Sequence, residues 1–426
     1  MKAVGIIAEY DPFHAGHAYH LGKAREESGA DYVVVVMSPD FLQRGQPALI
    51  DKWVRARMAL EAGADLVLEL PVRSAVASAE FFAAGGVRLL DSLGCIDALS
   101  FGCESTDSFA LLRRAAHFFA GEEPGEYRTL LREKLRLGVS FPKARAQAFA
   151  RILTASGTDC GASEEEVLSL LSQPNNILAI EYQKAILRQN SSMQILPVRR
   201  LGSYHAVPAC VCLRAEPSDT ADSPDAAHAQ GSAFASASAI RAILGEHDMT
   251  LPAEWKAQLP PSSLALLETE LQSRRYVLPE DLDVLLHRAL LDNQDQLQEY
   301  VDIDEDLSNR IRRCLNQYTG FQQFAALVQS RQYTLSRIRR CLLFVLLGIR
   351  KTEGKSCCVR VLGFRKEAGP LLRHIAKNGA IPLSTSLSFA DLSQEDIRAA
   401  HLWEMLVVNR TKQPLRHERQ RQIVIL

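Results

Sequence analysis

Residues 4–20 read VGIIAEYDPFHAGHAYH, and this stretch decides the fold. Its first five residues form an apolar run without polar alternation, which is typical of a strand buried on both faces of a sheet. Asp11-Pro12 is a turn signal, and His14, Gly16 and His17 stand where a helix begins. The pattern predicts a strand, a loop and a helix, the unit from which parallel sheets are built.

The same alternation continues over the first hundred residues. Further strands are predicted at residues 32–37, 66–70 and 98–102, and helices at residues 17–28, 51–62 and 75–93. Apolar strands joined by helices of this length require right-handed crossovers in a parallel sheet. The predicted fold class is therefore doubly wound α/β, Rossmann-like, with a ligand expected at the carboxyl ends of the strands.

The rest of the chain is mostly helical. Helices are predicted over residues 106–190, strands at 194–198 and 207–213, and a flexible excursion of small and polar residues at 215–235. A helix is predicted to start near Ser238, and beyond residue 262 only residues 358–364 have the pattern of a strand. For 426 residues we expect two domains, 1–260 and 261–426, the second mostly helical.

The composition excludes several classes of protein. Apolar residues make up 47% of the chain and charged residues 23%, as in globular proteins. No apolar run approaches the roughly 20 residues that span a bilayer, and the N-terminus does not resemble a signal peptide, so no membrane partner is expected. The nine cysteines contain no C-x-x-C pair, which favours reduced thiols with no disulfide partner in a cytoplasmic protein.

The net charge of −1 hides an asymmetry along the chain. Residues 331–426 carry 18 Lys and Arg against 7 Asp and Glu, whereas the preceding residues carry 31 against 43. A basic segment of this kind is typical of a polyanion partner, because neutralised phosphates release condensed counterions. A solvated helical surface explains the same charge equally well.

The loop after the first strand has the chemistry of a phosphate site. His14 and His17 are three residues apart at a helix start, and Gly16 removes a Cβ that would block close backbone approach. The helix N-terminus adds unpaired N–H groups, and imidazoles can stabilise charge that develops on departing pyrophosphate. The alternative is a pair of ordinary surface or core histidines. For His20, packing against the sheet and contact with a nucleotide are both open.

A second stretch supports this interpretation. Ser236, Ser238 and Arg241 lie in the sequence ASASAIR at the start of a predicted helix. One serine is explained by capping, while the other hydroxyl and the guanidinium are suited to phosphate.

The chain contains, in this order, GIIAEYDPFHAGHAYHL, MSPDFLQRGQPALIDKWVRARMAL, ADLVLELP, SFGCES, PNNILAIEY, RRLGSYH, ASASAIR and VRVLGF. Together these motifs resemble the bacterial tRNA(Met) cytidine acetate ligase family, which lies within the HIGH-type nucleotidyltransferases. The resemblance implies an enzyme that activates acetate with ATP and Mg²⁺ to acetyl-adenylate. The acetyl group then passes to the wobble cytidine of elongator tRNA(Met), giving N4-acetylcytidine.

The resemblance also implies which residues bind ATP. The catalytic residues are expected to be His14 and His17, with no metal held by protein ligands alone. Gly102, an Asn of the pair Asn175-Asn176, with Asn176 preferred, and Arg200 of the pair Arg199-Arg200 are expected to contact the nucleotide. The loop of the first motif supplies Ile7, Ala8, Glu9, Tyr10, Asp11, Pro12, Phe13, His14, Ala15, Gly16, His17, Ala18, Tyr19 and His20.

The loop differs from the family pattern, which has Asn where this chain has Asp11 and usually Asn where it has Ala15. A carboxylate at Asp11 would repel a triphosphate unless Mg²⁺ or a protonated histidine offset it. In the next connection we interpret Asp51 as a helix cap and take Arg44 and Lys52 as candidates for the acyl pocket or the tRNA end of the site.

The basic tail supplies the expected tRNA contacts. The resemblance makes residues 1–260 the ATP-binding catalytic domain and residues 261–426 the tRNA-binding domain. About half of the tail's cations are expected to be plain helix surface. The candidates are Arg337, Arg339, Arg340, Lys351, Lys355, Arg360, Arg365 and Lys366.

Two other functions are compatible with the histidine loop. One is adenylyl transfer to a small molecule, which leaves the helical, basic last third unexplained. The other is nucleotide sensing by an RNA-binding protein without catalysis. Exchange of pyrophosphate into ATP separates the three functions. In the acetate ligase it depends on acetate, and in a small-molecule adenylyltransferase it depends on a nucleotide-like substrate. In a non-catalytic binding protein it does not occur.

Overall fold

The computed structural model describes residues 1–104, 108–122, 124–155, 163–200, 234–352, 358–385, 393–415 and 417–426. The predicted strand at 207–213, most of the predicted excursion and the candidate Lys355 lie outside these ranges.

The predicted strand and helix alternation is confirmed. The strands of the N-terminal half are β1 (Ala3–Ala8), β2 (Tyr32–Met37), β3 (Phe41–Leu42), β4 (Gln46–Pro47), β5 (Leu66–Glu69), β6 (Ala98–Cys103) and β7 (Gln194–Arg199). The helices between them are α1 (Ala15–Ser28), α2 (Lys52–Glu61), α3 (Val72–Ala75), α4 (Ala79–Ser92), α5 (Phe109–Ala120), α6 (Gly125–Arg136), α7 (Phe141–Ala155), α8 (Glu164–Ser172) and α9 (Pro174–Arg188).

The second half is helical with three further strands. The helices are α10 (Ala237–Glu246), α11 (Ala253–Lys256), α12 (Pro261–Gln272), α13 (Asp283–Asn293), α14 (Glu305–Cys314), α15 (Phe321–Val328), α16 (Leu335–Leu347), α17 (Gly369–Asn378) and α18 (Gln394–Thr411). The strands are β8 (Val359–Phe364), β9 (Leu383–Ser384) and β10 (Val424–Ile425).

The main sheet has the order β10-β8-β5-β2-β1-β6-β7, with β9 on the side of β8. Strands β5, β2, β1, β6 and β7 are parallel, and Ile6 of β1 lies between Val35 of β2 and Ser100 of β6. Strand β8 runs antiparallel to β5. Because the order reverses between β1 and β6, the sheet opens a crevice at the carboxyl ends of these two strands.

Helices cover both faces of the sheet. Val34 and Val36 of β2 pack with α4, α5, α7 and α9 on one face, and Val33 and Val35 pack with α1, α2, α10 and α12 on the other. All four valines are fully buried. The alternation along a strand that is apolar on both faces therefore produces the three layers that the sequence predicts.

The remaining helices form a second core that is continuous with the first half. Helices α13 to α16 and α18 pack around Phe344 and Trp403, and Phe41, Val72 and Val76 of the first half join the same cluster. The indole Nε1 of Trp403 donates to the Ala48 carbonyl at 2.9 Å. The domain boundary after residue 260 stays a prediction, although β8 and this cluster cross it.

Sequence reasoning missed β3, β4, β9 and β10 because two-residue strands have no periodicity. It also joined α3 and α4 into one helix at 75–93, whereas residues 76–78 separate them. This interruption contains neither Gly nor Pro, so the sequence carries no local stop signal.

A buried ion cluster joins the C-terminal segment to the sheet. The Lys52 ammonium lies 3.3 Å from Asp40, 2.8 Å from Glu69 and 2.6 Å from Glu418, and Lys52 is 1% exposed. Arg360 of β8 also pairs with Glu418. Burial alone would lower the pKa of Lys52, but the three carboxylates raise it above its ordinary value. Lys52 therefore links α2, β5 and the C-terminal segment through buried ion pairs.

We expect Lys52→Met to destabilise the protein by about 3–5 kcal/mol, because it leaves buried carboxylates without their cation. The measurement is the midpoint of urea unfolding. The control is Lys23→Met, which removes a lysine paired with Glu26 on the surface and should change the midpoint little. Equal midpoint shifts in the two variants would contradict this role of Lys52.

Candidate active site

A cavity of about 570 Å³ lies at the carboxyl ends of β1, β6 and β7, in the crevice where the strand order reverses. Its walls come from the loop between β1 and α1, the first residues of α9 and α10, and the start of α16. The predicted position of a ligand site is thus matched by an open cavity.

His14 and His17 lie at the start of α1 as a ring pair. His14 is the N-cap residue, and its Nδ1 accepts the Gly16 N–H at 3.0 Å. The Nδ1 of His17 accepts the His14 backbone N–H at 3.3 Å. The ring centroids are 3.7 Å apart at an interplanar angle of 31°. A Cβ on Gly16 would lie 2.9 Å from the His14 ring, so glycine allows the ring to close over the helix start.

The hydrogen bonds determine the tautomer of both rings. Because each Nδ1 accepts an N–H, a neutral ring must carry its proton on Nε2. Burial, and then the charges of Arg200 and Arg241, lower the pKa of His14 to about 3. Burial, followed by His14 and Arg200, also lowers the pKa of His17 well below its ordinary value. The pair therefore offers two neutral Nε2–H donors at ordinary pH.

His20 lies one turn further along α1. Its Nε2 is 3.0 Å from the Ser100 hydroxyl of β6, and the residue lines the cavity. Burial and then Arg200 lower its pKa to about 4. His20 therefore packs against the sheet as the first alternative predicts, and it also lines the cavity; its contact with a nucleotide stays a prediction.

Arginines form the positive part of the wall. Arg241 of α10 lies 3.0 Å from the Asp11 carboxylate and also donates to the Asp11 carbonyl. The other Asp11 oxygen accepts the Leu49 N–H at 2.7 Å, so this carboxylate is held on two sides. Within the protein, the group that offsets the Asp11 carboxylate is thus Arg241, a group that the sequence analysis did not consider for this role.

Arg44 and Arg200 reach the cavity from opposite sides. Arg44 donates to the Ser238 hydroxyl at 2.8 Å, and Arg200 donates to the side-chain amide oxygen of Asn175 at 3.2 Å. The Arg200 side chain packs directly over the backbone of Gly102 in β6. A Cβ at position 102 would lie 3.1 Å from the Arg200 Cγ, so glycine makes room for this packing. Ser236 caps α10 by accepting the Ala239 N–H at 3.1 Å, which leaves the Ser238 hydroxyl to the cavity.

Comparisons with known proteins show the family of the chain. The sequence matches the HIGH nucleotidyl transferase family over residues 1–210 and 219–419. It is 36% identical to the tRNA(Met) cytidine acetate ligase of Thermoanaerobacter sp. (strain X514), over 91% of this chain and 89% of that protein. The chain belongs to the tRNA(Met) cytidine acetate ligase family.

Other members of the ligase family extend the match. The protein of Acetivibrio thermocellus is 34% identical over 91% of this chain and 89% of its own length. The crystal structure of Thermotoga maritima TmcAL bound with alpha-thio ATP superposes with a TM-score of 0.83 at 32% identity, covering 100% of this chain and 99% of that one. Its apo form gives a TM-score of 0.84 and covers both chains completely.

Most of the residues expected to bind ATP line the cavity. Those that do are Ile7, Ala8, Glu9, Tyr10, Asp11, His14, Gly16, His17, Tyr19, His20, Gly102, Asn175, Arg199, Arg200, Ser236, Ser238 and Arg241. Pro12, Phe13, Ala15 and Ala18 do not. Phe13 is fully buried against Tyr10, and the Ala15 N–H donates to the Gln258 carbonyl.

The preference for Asn176 is corrected. Asn176 is fully buried, and its Nδ2 donates to the Leu170 carbonyl and to Gln173. Asn175, which precedes it on α9, faces the cavity and holds Arg200. Two adjacent helical residues point about 100° apart, so only one of them can face the nucleotide.

Of the acyl-pocket candidates, only Arg44 lines the cavity. Lys52 lies in the buried ion cluster, because its side chain extends from α2 to Glu69 of β5. Asp51 is a helix cap as expected, since its Oδ1 accepts the Trp53 N–H at 2.8 Å.

The basic tail does not form one surface. Of the candidate cations that the structure describes, Arg340 alone lines the cavity, and Arg360 is buried in the ion cluster. Arg337 pairs with Asp302 and Asp304. Arg365 and Lys366 follow β8 next to Asp65, at the amino ends of the parallel strands and therefore at the opposite edge of the sheet. Lys351 is exposed, with its Nζ on the Ile303 carbonyl.

Sequence reasoning assigned no role to several wall residues. Glu181 and Tyr182 lie within the motif PNNILAIEY, so their motif was a usable signal. Phe141, Arg145, Thr334 and Ser336 also line the cavity, and no spacing in a single sequence points to them.

Glu9 is a carboxylate of the same wall. It accepts the Gln43 N–H at 2.7 Å. Burial raises the pKa of Glu9, while the Gln43 hydrogen bond and the nearby Arg44 oppose this shift. Glu9 is thus a buried carboxylate among the cations of the wall.

Three further properties bear on function. Within the described ranges, no three His, Cys, Asp or Glu side chains group as a metal site. Among the described cysteines, Cys95, Cys314 and Cys341 are free thiols. Searched over the same residues, the helices include none with the length and apolar character needed to cross a bilayer.

We expect the rings of His14 and His17 to stay neutral at pH 5 in the free protein, with protons on Nε2. Ring ¹⁵N chemical shifts report both protonation and tautomer. At that pH a histidine of ordinary pKa is about 30 to 1 protonated. The control is the same protein in denaturant, where these histidines should titrate normally. Midpoints near pH 6.5 in the folded protein would contradict the lowered pKa values, and a neutral ring with its proton on Nδ1 would contradict the assigned tautomers.

Proposed function

We propose that this chain activates acetate with ATP, forming acetyl-adenylate and pyrophosphate, and then acetylates the wobble cytidine of elongator tRNA(Met). The products of the second step are N4-acetylcytidine and AMP. The observation that carries the proposal is the pair of neutral Nε2–H donors among arginines at the switch point of the sheet. Membership of the ligase family, with a relative bound to an ATP analogue, supports it.

The first step needs charge stabilisation more than a base. An acetate oxygen attacks the α-phosphorus, and the bond to the bridging oxygen breaks, so negative charge moves onto pyrophosphate. His14, His17, Arg241 and Arg200 provide fixed donors for this charge without any reorganisation of solvent. The rings do so without first taking up a proton, because their Nε2 atoms already carry one.

Asp11 contributes by holding Arg241. Its carboxylate lies 3.0 Å from the guanidinium, and the Leu49 N–H fixes the other oxygen. The carboxylate therefore points into the protein, and its charge is matched by Arg241 before any phosphate arrives.

Mg²⁺ is proposed to arrive bound to the nucleotide phosphates. Magnesium usually keeps several waters and takes few protein ligands beside substrate phosphates. The described wall fits this, since its carboxylates Asp11 and Glu181 are paired with arginines and Glu9 accepts a backbone N–H. The fourth wall carboxylate, Glu80, is paired with Lys184 and Arg188. The ion would supply screening of the phosphate charge.

The second step needs positioning. The amine of cytidine is conjugated with its ring and is a weak nucleophile, so its placement against the mixed anhydride governs the rate. Its lone pair forms the bond to the acetyl carbon, AMP leaves with the electrons of the broken C–O bond, and one amine proton is released.

We infer that tRNA approaches along α16. Arg340 lies on this helix in the cavity wall, and Arg339 beside it is half-buried against the β3–β4 hairpin at Gly45. Neither arginine has a carboxylate within 4 Å among the residues that the structure describes, unlike Arg337. Unpaired guanidiniums beside the site are suited to RNA phosphates. We also infer that residues 261–426 are the tRNA-binding part and that the enzyme works in the cytoplasm, where its substrate is found.

We expect His14→Ala and His17→Ala to abolish acetate-dependent exchange of labelled pyrophosphate into ATP, because each removes a donor to the departing group. Removing one such donor typically lowers the rate by about 100- to 1000-fold. Binding of tRNA should change little. The matched control is His247→Ala, an exposed histidine after α10 and outside the cavity wall.

Exchange at the wild-type rate in the two variants would refute the assigned roles. Mass spectrometry of tRNA nucleosides after incubation with ATP and acetate tests the product. Exchange that depends on another nucleotide-like substrate would favour a small-molecule adenylyltransferase, and no exchange at all would favour a binding protein.

We expect Arg339→Ala to weaken tRNA binding and to reduce the slope of log affinity against log salt by about one, since one phosphate contact is lost. Filter binding at several salt concentrations measures both. The control is Lys366→Ala, an exposed cation at the opposite edge of the sheet, which should leave the slope unchanged. The reverse result would place the RNA on the other side of the molecule.

A further inference from the structure

The cavity has two sides, which belong to the two faces of the sheet. His14, His17 and Arg241 stand on the side of α1 and α10. The other side is formed by the first residues of α4, α7 and α9, with Glu80, Phe141 and Glu181 among its wall residues. Three of the four proposed phosphate donors lie on the first side, and Arg200 reaches the cavity beside Asn175 of α9. The wall formed by α4 and α7 therefore remains for the acetyl acceptor.

Phe141 differs from the other aromatic residues of the wall. Tyr10, Phe82, Phe101 and Tyr182 are each at most 5% exposed, and Tyr19 and Phe234 are partly buried, whereas Phe141 is 50% exposed. Among the described residues, no aromatic ring or cation stacks on it. A single exposed phenylalanine is ordinary on a surface. In the wall of a ligand cavity, it is an open apolar face beside the reacting groups.

The helix that carries Phe141 is held firmly. Arg145, one turn further along α7, pairs with the buried Glu181 at 2.5 Å, and its guanidinium lies 3.8 Å from the centroid of the Phe119 ring. Lys184 holds the second Glu181 oxygen at 2.5 Å. These contacts hold the start of α7 against α9, so the backbone that carries Phe141 is fixed before a ligand binds.

The chemistry of the wall indicates which ligand this face would take. Arg199, Arg200 and Arg340 surround the cavity with positive charge, which is complementary to an RNA backbone. Proteins that bind unpaired bases combine such cations with aromatic rings on which the bases stack. A small carboxylate such as acetate has no flat apolar face and gains little from a phenyl ring.

We propose that Phe141 forms the acceptor subsite, where the unstacked pyrimidine base of the RNA lies on its ring during acetyl transfer. This inference rests on the proposed function and specifies how its second substrate is held. The base is positioned by stacking, while its exocyclic amine stays free to attack the acetyl carbon. Phe141 therefore acts on the transfer step and leaves acetate activation unchanged.

The test compares Phe141→Ala, Phe141→Leu and Phe141→Trp with the wild-type enzyme. Acetate-dependent pyrophosphate exchange, with its KM for ATP, measures the first step and also shows that each variant is folded. Transfer of labelled acetyl to an unmodified tRNA(Met) transcript measures the second step. The matched control is Phe81→Ala, a phenylalanine that is 66% exposed on α4 and outside the cavity wall.

We expect exchange within twofold of wild type in all variants. Transfer kcat/KM for tRNA should fall by about tenfold or more in Phe141→Ala and Phe141→Leu, since stacking is lost in both. Phe141→Trp should keep transfer, because tryptophan retains a stacking face. Phe81→Ala should match wild type in both assays.

Two results would overturn the proposal. A rise in the KM for ATP in parallel with the transfer defect would mean that the ring holds adenine. Transfer within twofold of wild type in Phe141→Ala would mean that the ring holds no base. Failure of the proposed function is seen separately, as the absence of acetate-dependent exchange in the wild-type enzyme.

Discussion

The rings of His14 and His17 lie 3.7 Å apart, and each uses Nδ1 to accept a backbone N–H at the start of α1. This arrangement cannot hold two positive charges, because the rings are buried, close together and near Arg200 and Arg241. Their neutrality makes them donors through Nε2 alone, and it leaves the positive charge of the site to arginines. The loop, Gly16 and the N-cap of α1 together hold the two rings in this arrangement.

The topology of the sheet places these donors opposite a second set of residues. Strands β1, β6 and β7 end together at the switch point, so groups far apart in sequence meet across one cavity. Asp11 shows how the site accommodates a carboxylate beside its histidines. Its carboxylate is bound to Arg241 and to a backbone N–H, so its charge is balanced within the protein. This carboxylate and its arginine act as one unit.

The C-terminal segment is part of the same body. Lys52 and Arg360 share Glu418, and Arg421 pairs with Asp51 at the cap of α2. These contacts explain why the basic excess of the last hundred residues overstates the surface available to RNA. Part of that charge neutralises carboxylates of the acidic first half, because a buried ion needs a partner of opposite sign.

The sequence by itself determined the order of strands and helices, the doubly wound class and the location of the site. Buried parallel strands and helix starts have local signals, in apolar runs, capping residues and glycine. Its motifs also named His14, His17, Gly102, Arg200, Ser238 and Arg241 as candidates, and all six line the same cavity. What it did not determine was the direction of individual side chains. Asn175 and Asn176 are neighbours with equal chemistry, and only the rotation of α9 decides which one faces the cavity. The burial of Lys52 and Arg360, the unpaired state of Arg339 and the open ring of Phe141 were likewise decided by the tertiary structure. Each of them depends on which distant segment packs alongside, and one residue's chemistry does not specify that partner.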